Sequence, residues 1–184
     1  VQTAPNATIS ATAPRYFLHQ FVAPDWVKPS TLSICFVIDV SGSMSGDKMT
    51  QARDALRSML SQLRATDRFA IISFATDVRQ FAAQMQPGSL AFTAQPWVGG
   101  LAAGGSTNIG EAMSTAHAIL SQRSPLNSPD TPLVLLLTDG APSVGVTDPG
   151  QLRTQIAAAA NDGGYRVFAL GFGFDLNFDL LRNF

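Results

Sequence analysis

The chain has 184 residues, of which 46% are hydrophobic and 14% are charged, and its net charge is −1. This length predicts a single domain with a sizeable core, and the near-neutral charge gives no reason to expect binding to nucleic acid. Apolar runs such as residues 133–137 are much shorter than the ~20 residues that span a bilayer, so we expect no membrane span in this chain. The only cysteine, Cys35, lies in an apolar run and is expected to be a buried thiol.

The predicted elements alternate between strands and helices after an unpatterned start. Residues 1–14 are rich in Ala, Thr and Pro and are predicted to be a flexible arm or linker; they contain a glycosylation sequon at Asn6. The predicted strands cover residues 16–21, 32–39, 67–75, 78–82, 133–138 and 165–170, the fourth of them as an antiparallel edge. The predicted helices cover residues 47–63, 108–122 and 148–161, with a short helix or turn at 92–101 and the start of a helix at 177–184.

This alternation predicts an α/β fold, with a doubly wound, mostly parallel central sheet and helices on both faces. In such a sheet, ligands bind beyond the carboxyl ends of the strands. The segments that follow the predicted strands are therefore the first place to look for a functional site.

Oxygen-bearing side chains follow the strand at 32–39. Asp39 ends that strand, and Ser41 and Ser43 come at alternate positions after it. One carboxylate and two hydroxyls in five residues form the hard-oxygen donor set that Mg²⁺ prefers. Asp and Ser are also ordinary turn and N-cap residues, so this segment alone leaves a plain turn open as the alternative.

Two later segments supply further donors. The Gly-rich loop at 104–107 delivers Thr107 to the start of the predicted helix, and the apolar strand at 133–138 is followed by Asp139. Ser106 also carries a hydroxyl and is an alternative ligand from the same loop. Together the three segments resemble the von Willebrand factor type A domain, whose Rossmann-like fold carries a metal-ion-dependent adhesion site.

The resemblance implies a site for Mg²⁺, or for Mn²⁺ or Ca²⁺, at five positions. By resemblance, the hydroxyls of Ser41 and Ser43 bind the cation directly, the two aspartates supply negative charge directly or through water, and Thr107 binds from its loop; the family pattern of Thr followed by Asn favours Thr107 over Ser106. An open coordination position then attracts an acidic side chain of a partner. The implied metal ligands are Asp39, Ser41, Ser43, Thr107 and Asp139.

A finer similarity is to the A domain of inter-alpha-trypsin inhibitor heavy chains. It is carried by residues 15–24, 41–49, 138–147 and 170–173. This resemblance implies a domain at 15–184 that lacks its last strand and helix here, within a larger multidomain and extracellular or cell-surface protein. The Asp-Pro-His sequence through which those heavy chains are esterified to a glycosaminoglycan is absent, so the resemblance supports the module and its metal site rather than that transfer.

The leading functional hypothesis is a non-enzymatic, Mg²⁺-dependent adhesion module that captures an Asp or Glu of a protein partner. The alternative is an intracellular or periplasmic assembly subunit of a larger complex. A metal-dependent hydrolase would require a general base, and we identify no His or Lys in the matched segments that offers one. The expected partner surface consists of exposed residues that flank the ligands: Met44, Ser45, Ser106, Asn108, Ala141 and Pro142.

Overall fold

The computed structural model describes residues 30–122, 130–140 and 142–172. In this part of the chain the strands are β1 (Thr31–Asp39), β2 (Arg68–Phe74), β3 (Val78–Gln80), β4 (Gln86–Pro87), β5 (Asp130–Thr138) and β6 (Arg166–Gly171). They form one sheet in the order β3-β2-β1-β5-β6, and β4 pairs with β2. β1, β2, β5 and β6 are parallel, whereas β3 and β4 run antiparallel to β2, which confirms the predicted fold class and the antiparallel edge.

Helices cover both faces of this sheet because β1 is apolar on both sides. Cys35 and Val37 pack toward α3 (Ile109–Ser121) and α4 (Pro149–Gly163). Phe36 and Ile38 pack toward α1 (Asp47–Ser61) and α2 (Gln95–Gly99). Cys35 is fully buried, as expected, and this burial raises the pKa of its thiol to about 12. None of the helices in the described residues is long and apolar enough to cross a membrane.

The order of the strands places a crevice beside β1. The chain passes from β1 to β2 on one side and only later returns to β5 on the other side. Asp39 pairs in register with Phe74, and Ile38 pairs with Leu137. The carboxyl ends of β1 and β5 therefore meet at a topological switch point, where open α/β sheets bind ligands.

Some sequence predictions need correction. The segment predicted as a short helix or turn at 92–101 begins earlier, as 3-10 turns over Gly88–Ala94 that lead into α2. The bridge β4 was not predicted, because two residues give no periodicity to detect. The predicted arm at 1–14, the strand at 16–21 and the helix at 177–184 lie outside the described residues.

Candidate metal centre

Asp39 is the most deeply placed of the predicted ligands. It is fully buried at the end of β1, where its Oδ1 accepts a hydrogen bond from the Ser41 amide at 2.8 Å. Its Oδ2 accepts one from the Thr138 hydroxyl at 2.6 Å. Burial raises the pKa of the Asp39 carboxyl, and nearby Asp139 raises it further, although the bonds from Thr138 and Ser41 oppose the shift. The charged form of Asp39 is therefore electrostatically costly without a cation.

The two serines follow Asp39 closely: Ser41 is the N-cap of a short 3-10 turn, Gly42–Met44, and Ser43 lies within that turn. Ser41 is buried and Ser43 is exposed, and their hydroxyl oxygens are 3.1 Å apart. Two neighbouring ligands of an octahedral cation at about 2.1 Å lie roughly 3.0 Å apart. The spacing of the serine oxygens thus matches one edge of such an octahedron as well as an ordinary hydrogen bond.

Asp139 approaches the serines from the end of β5. Its Oδ1 accepts a hydrogen bond from the Ser43 hydroxyl at 2.8 Å. Its Oδ2 accepts one from the Lys48 ammonium, also at 2.8 Å. The structure therefore joins residues that are 96 and 91 positions apart in the sequence, and both oxygens of this buried carboxylate have partners.

Thr107 is held in place through its backbone. Its amide donates to the Ser143 hydroxyl at 2.8 Å, and its carbonyl accepts from the amides of Ser143 and Val144 at 2.9 and 3.3 Å. The side chain is 6% exposed. The loop after β5 thus carries both Asp139 and the residues that position Thr107.

Gly105 in the Thr107 loop is required by its backbone conformation and by close packing. The carbonyl of Gly105 accepts a bond from the amide of Gly42 at 3.0 Å. Gly105 has φ +82°, and a Cβ there would lie 2.9 Å from the Thr76 hydroxyl, so a larger residue would be strained and crowded. The neighbouring Ser106 donates its amide to that same hydroxyl at 3.0 Å, which fixes the loop against the β2–β3 turn.

The expected partner surface is wrong at two positions. Met44 is fully buried in the core beneath α1, because the 3-10 turn after Ser41 directs it inward. Pro142 is also buried. Ser45 is exposed, and Ser106 and Asn108 are half-buried, so these three stay candidates; Ala141 lies outside the described residues.

Three contributors were missed by the sequence analysis. Thr138 binds Asp39, Ser143 binds Thr107, and Lys48 binds Asp139. Lys48 lies in a matched segment but offers no general base, because a protonated amine bonded to a carboxylate has no lone pair with which to accept a proton. No local pattern marks these residues, since each contact joins separate elements.

The donor set fits a hard divalent cation. Within residues 30–122, 130–140 and 142–172, no three His, Cys, Asp or Glu side chains cluster, so a cation here would depend on hydroxyls beside two carboxylates. Oxygen-only ligands of this kind suit Mg²⁺ or Mn²⁺ rather than zinc. The costly burial of Asp39 gives the same indication, because a cation would stabilise its charged form.

The fold and this site define a class: an open α/β domain with a cluster of oxygen ligands at its switch point. The sequence profile of the von Willebrand factor type A domain matches residues 33–184. The chain belongs to the von Willebrand factor type A domain family, as the resemblance in the sequence predicted.

Curated relatives include several inter-alpha-trypsin inhibitor heavy chains. Heavy chain H4 of Homo sapiens is 39% identical over 172 residues, which is 91% of this chain and 18% of the relative. Heavy chain H6 of Homo sapiens is 38% identical over 180 residues, which is 91% of this chain and 13% of the relative. The chain thus spans less than a fifth of the length of these relatives.

Solved structures show the same fold. A von Willebrand factor type A protein from Catenulispora acidiphila superposes with a TM-score of 0.70 at 24% identity, covering 83% of this chain and 36% of that chain. Manganese-loaded TRAP protein of Plasmodium vivax superposes with a TM-score of 0.64 at 20% identity, covering 83% and 61%. At these identities the likeness concerns the fold alone.

Proposed function

We propose that this chain is a non-enzymatic, divalent-cation-dependent module that captures an Asp or Glu side chain of a protein partner. The observation that carries the proposal is the convergence of Asp39, Asp139 and the two serine hydroxyls at the switch point of the sheet. Ser43 is exposed, so the cluster opens to the surface on the side that a partner would approach.

In this proposal each residue has a distinct role toward the cation. Asp39 and Asp139 supply the negative charge, Ser41 and Ser43 supply neutral oxygens, and Thr107 supplies a further hydroxyl from its clamped loop. A bound divalent cation would supply a Lewis-acidic position that accepts a carboxylate oxygen. The accessible residues around it, Ser45, Ser106 and Asn108, would contact the partner beside its acidic residue.

We further propose an extracellular setting for the module. Its relatives at 34–39% identity are inter-alpha-trypsin inhibitor heavy chains.

Isothermal titration of EDTA-treated protein with Mg²⁺ tests the proposal. We expect one Mg²⁺ per chain, and a loss of affinity on Asp39→Ala at least as large as the roughly 10–100-fold loss typical of residues that only support metal ligands. Asp77→Ala is the matched control, because Asp77 is exposed near the same edge of the sheet and its side chain makes no contact with the cluster. Equal Mg²⁺ binding by wild type and Asp39→Ala would refute the assignment.

A further inference from the structure

Lys48 lies at an unusual place for a positively charged side chain. It is the second residue of α1, and the amino end of a helix carries a partial positive charge that disfavours lysine. Its ammonium nevertheless reaches Asp139 Oδ2 at 2.8 Å, with 22% of the lysine side chain and 1% of the aspartate side chain exposed. The pair therefore lies at the edge of the candidate metal centre, where solvent screens it only partly.

The lysine changes the charge of the cluster. Asp39 and Asp139 together carry two negative charges, which would just neutralise a divalent cation. With Lys48 bonded to Asp139, the cluster has a net charge of about −1 by formal count. A divalent cation would then leave it with a net positive charge, which is the sign that attracts a partner's carboxylate.

The two oxygens of Asp139 are divided between these roles. Oδ1 faces the hydroxyl of Ser43, within the cluster of predicted ligands, and Oδ2 faces Lys48. The ammonium can therefore remain on Oδ2 while Oδ1 stays directed at the centre. Asp39 differs, because its bonds come from neutral donors, the Thr138 hydroxyl and the Ser41 amide.

We propose that Lys48 sets the charge of the metal centre: it lowers the affinity for the divalent cation and raises the affinity of the loaded centre for a carboxylate. This inference rests on the proposed function and names how the same site is tuned. It predicts opposite effects on two binding steps when the lysine charge is removed. If Lys48 only held Asp139 in position, its removal would instead weaken both the binding of the divalent cation and the binding of the carboxylate.

The test uses the full chain and the substitution Lys48→Met, which keeps an unbranched apolar side chain without the charge. Isothermal titration measures Mg²⁺ affinity, and we expect an increase of roughly tenfold, the equivalent of about 1.4 kcal/mol. Broadening of the acetate methyl proton signal by Mn²⁺-loaded protein measures carboxylate binding, and we expect a several-fold loss for Lys48→Met.

Two further variants serve as controls. Lys48→Arg keeps the positive charge and should remain close to wild type in both measurements. Arg57→Gln removes a positive charge from the exposed side of the same helix, where Arg57 pairs with Asp54 at 3.5 Å, and should change neither. Circular dichroism checks that each variant is folded, and Lys48→Gln replaces Lys48→Met if the latter is not.

The outcomes separate the two proposals. If wild type binds no Mg²⁺, both the proposed function and the role of Lys48 are wrong. If wild type binds Mg²⁺ but the charge-free lysine variant binds it equally or more weakly, or binds acetate as well as wild type does, only the role of Lys48 is overturned. Tighter Mg²⁺ with weaker acetate supports it.

Discussion

Two buried aspartates at opposite ends of the sheet have opposite electrostatic settings. Asp67 lies where β1 and β2 begin and accepts bonds from the Arg64 guanidinium at 2.7 and 3.1 Å, and from the amides of Leu32 and Arg64 at 3.0 and 2.8 Å. The Arg64 side chain holds the pKa of Asp67 below its ordinary value. At the other end, Asp39 has only neutral donors on its oxygens, and burial raises its pKa.

The difference separates a structural carboxylate from one suited to binding a cation. Asp67 is 2% exposed, yet its charge is compensated from within the chain, so it needs nothing further. Asp39 is fully buried and its charge is left to be compensated from outside. A carboxylate with a shifted pKa at the switch point of the sheet is a candidate functional group. Asp67, which is paired with Arg64 at the opposite end, instead connects Arg64 to Leu32 in β1.

Replacing each of the two aspartates by asparagine should change the stability of the metal-free protein differently. Asp67→Asn should lower the free energy of unfolding of the metal-free protein by about 2 kcal/mol, because it removes the charged bond to Arg64 and weakens the acceptor for two backbone amides. The expected loss is no larger because the Arg64 side chain is 40% exposed and can be rehydrated when it loses its partner. Asp39→Asn should be neutral or stabilising, since it removes an uncompensated buried charge. Urea denaturation in EDTA measures both.

Magnesium should stabilise the two variants unequally. Added Mg²⁺ stabilises a protein that binds it in the folded state, so wild type and Asp67→Asn should both gain stability, and Asp39→Asn should gain none. A gain by Asp39→Asn equal to that of wild type would show that the contrast between the two aspartates has no bearing on metal binding.

A smaller effect is expected in the pH dependence. Asp67 has a lowered folded-state pKa, so its contribution is present above the unfolded value of about 3.9 and is lost as the pH falls through the folded value. The stability gap between wild type and Asp67→Asn should thus narrow on acidification. Asp39 has a raised folded-state pKa. Its ionisation therefore lowers the free energy of unfolding, and this loss develops as the pH rises past the pKa that Asp39 has in the unfolded chain.

Urea denaturation of the metal-free protein between about pH 2.5 and pH 7 checks these slopes. Relative to wild type, Asp39→Asn should become more stable as the pH rises, while Asp67→Asn should become less stable. Parallel curves for wild type and both variants would remove the electrostatic basis of the comparison.

Much of the site follows from local sequence. An apolar run that ends in Asp39 marks the end of a strand, and Asn108, whose side chain accepts a bond from the Glu111 amide at 3.3 Å, marks the start of α3. These local signals placed the predicted ligands on the correct edge of the sheet. Their spacing along the chain also identified the family.

The sequence predictions that were wrong or missing concern the direction of side chains and contacts between residues far apart in the chain. Met44 follows Ser43 directly, but one 3-10 turn decides that it packs inward rather than toward a partner. The bond between Thr138 and Asp39 spans 99 positions, and that between Lys48 and Asp139 spans 91. Periodicity reports the face of an element, but not which distant residue lies opposite its end.

The smallest of the expected effects is the movement of the loop that carries Thr107 when a carboxylate binds. The loop is fixed at several points: Gly104 donates its amide to the Val40 carbonyl at 2.8 Å, Asn108 donates to the Ala75 carbonyl at 3.0 Å, and Thr107 is bonded to Ser143. A ligand shifts such a loop only if it binds a second conformation more tightly by several kcal/mol, and that conformation would have to give up these bonds.

We therefore expect residues 104–110 to move by less than about 1 Å, as in other preorganised interfaces, between crystal structures of the Mg²⁺-loaded protein with and without acetate. Ser143→Ala removes one clamp while leaving the Ser143 amide in place, and it should lower Mg²⁺ affinity only a few-fold, in line with the loss of about 1 kcal/mol for one hydrogen bond. A shift of several ångströms on acetate binding would show that the bonds around Thr107 break readily. The carboxyl end of the sheet would then be a switch, in contrast to the fixed ion pair of Asp67 and Arg64 at the other end.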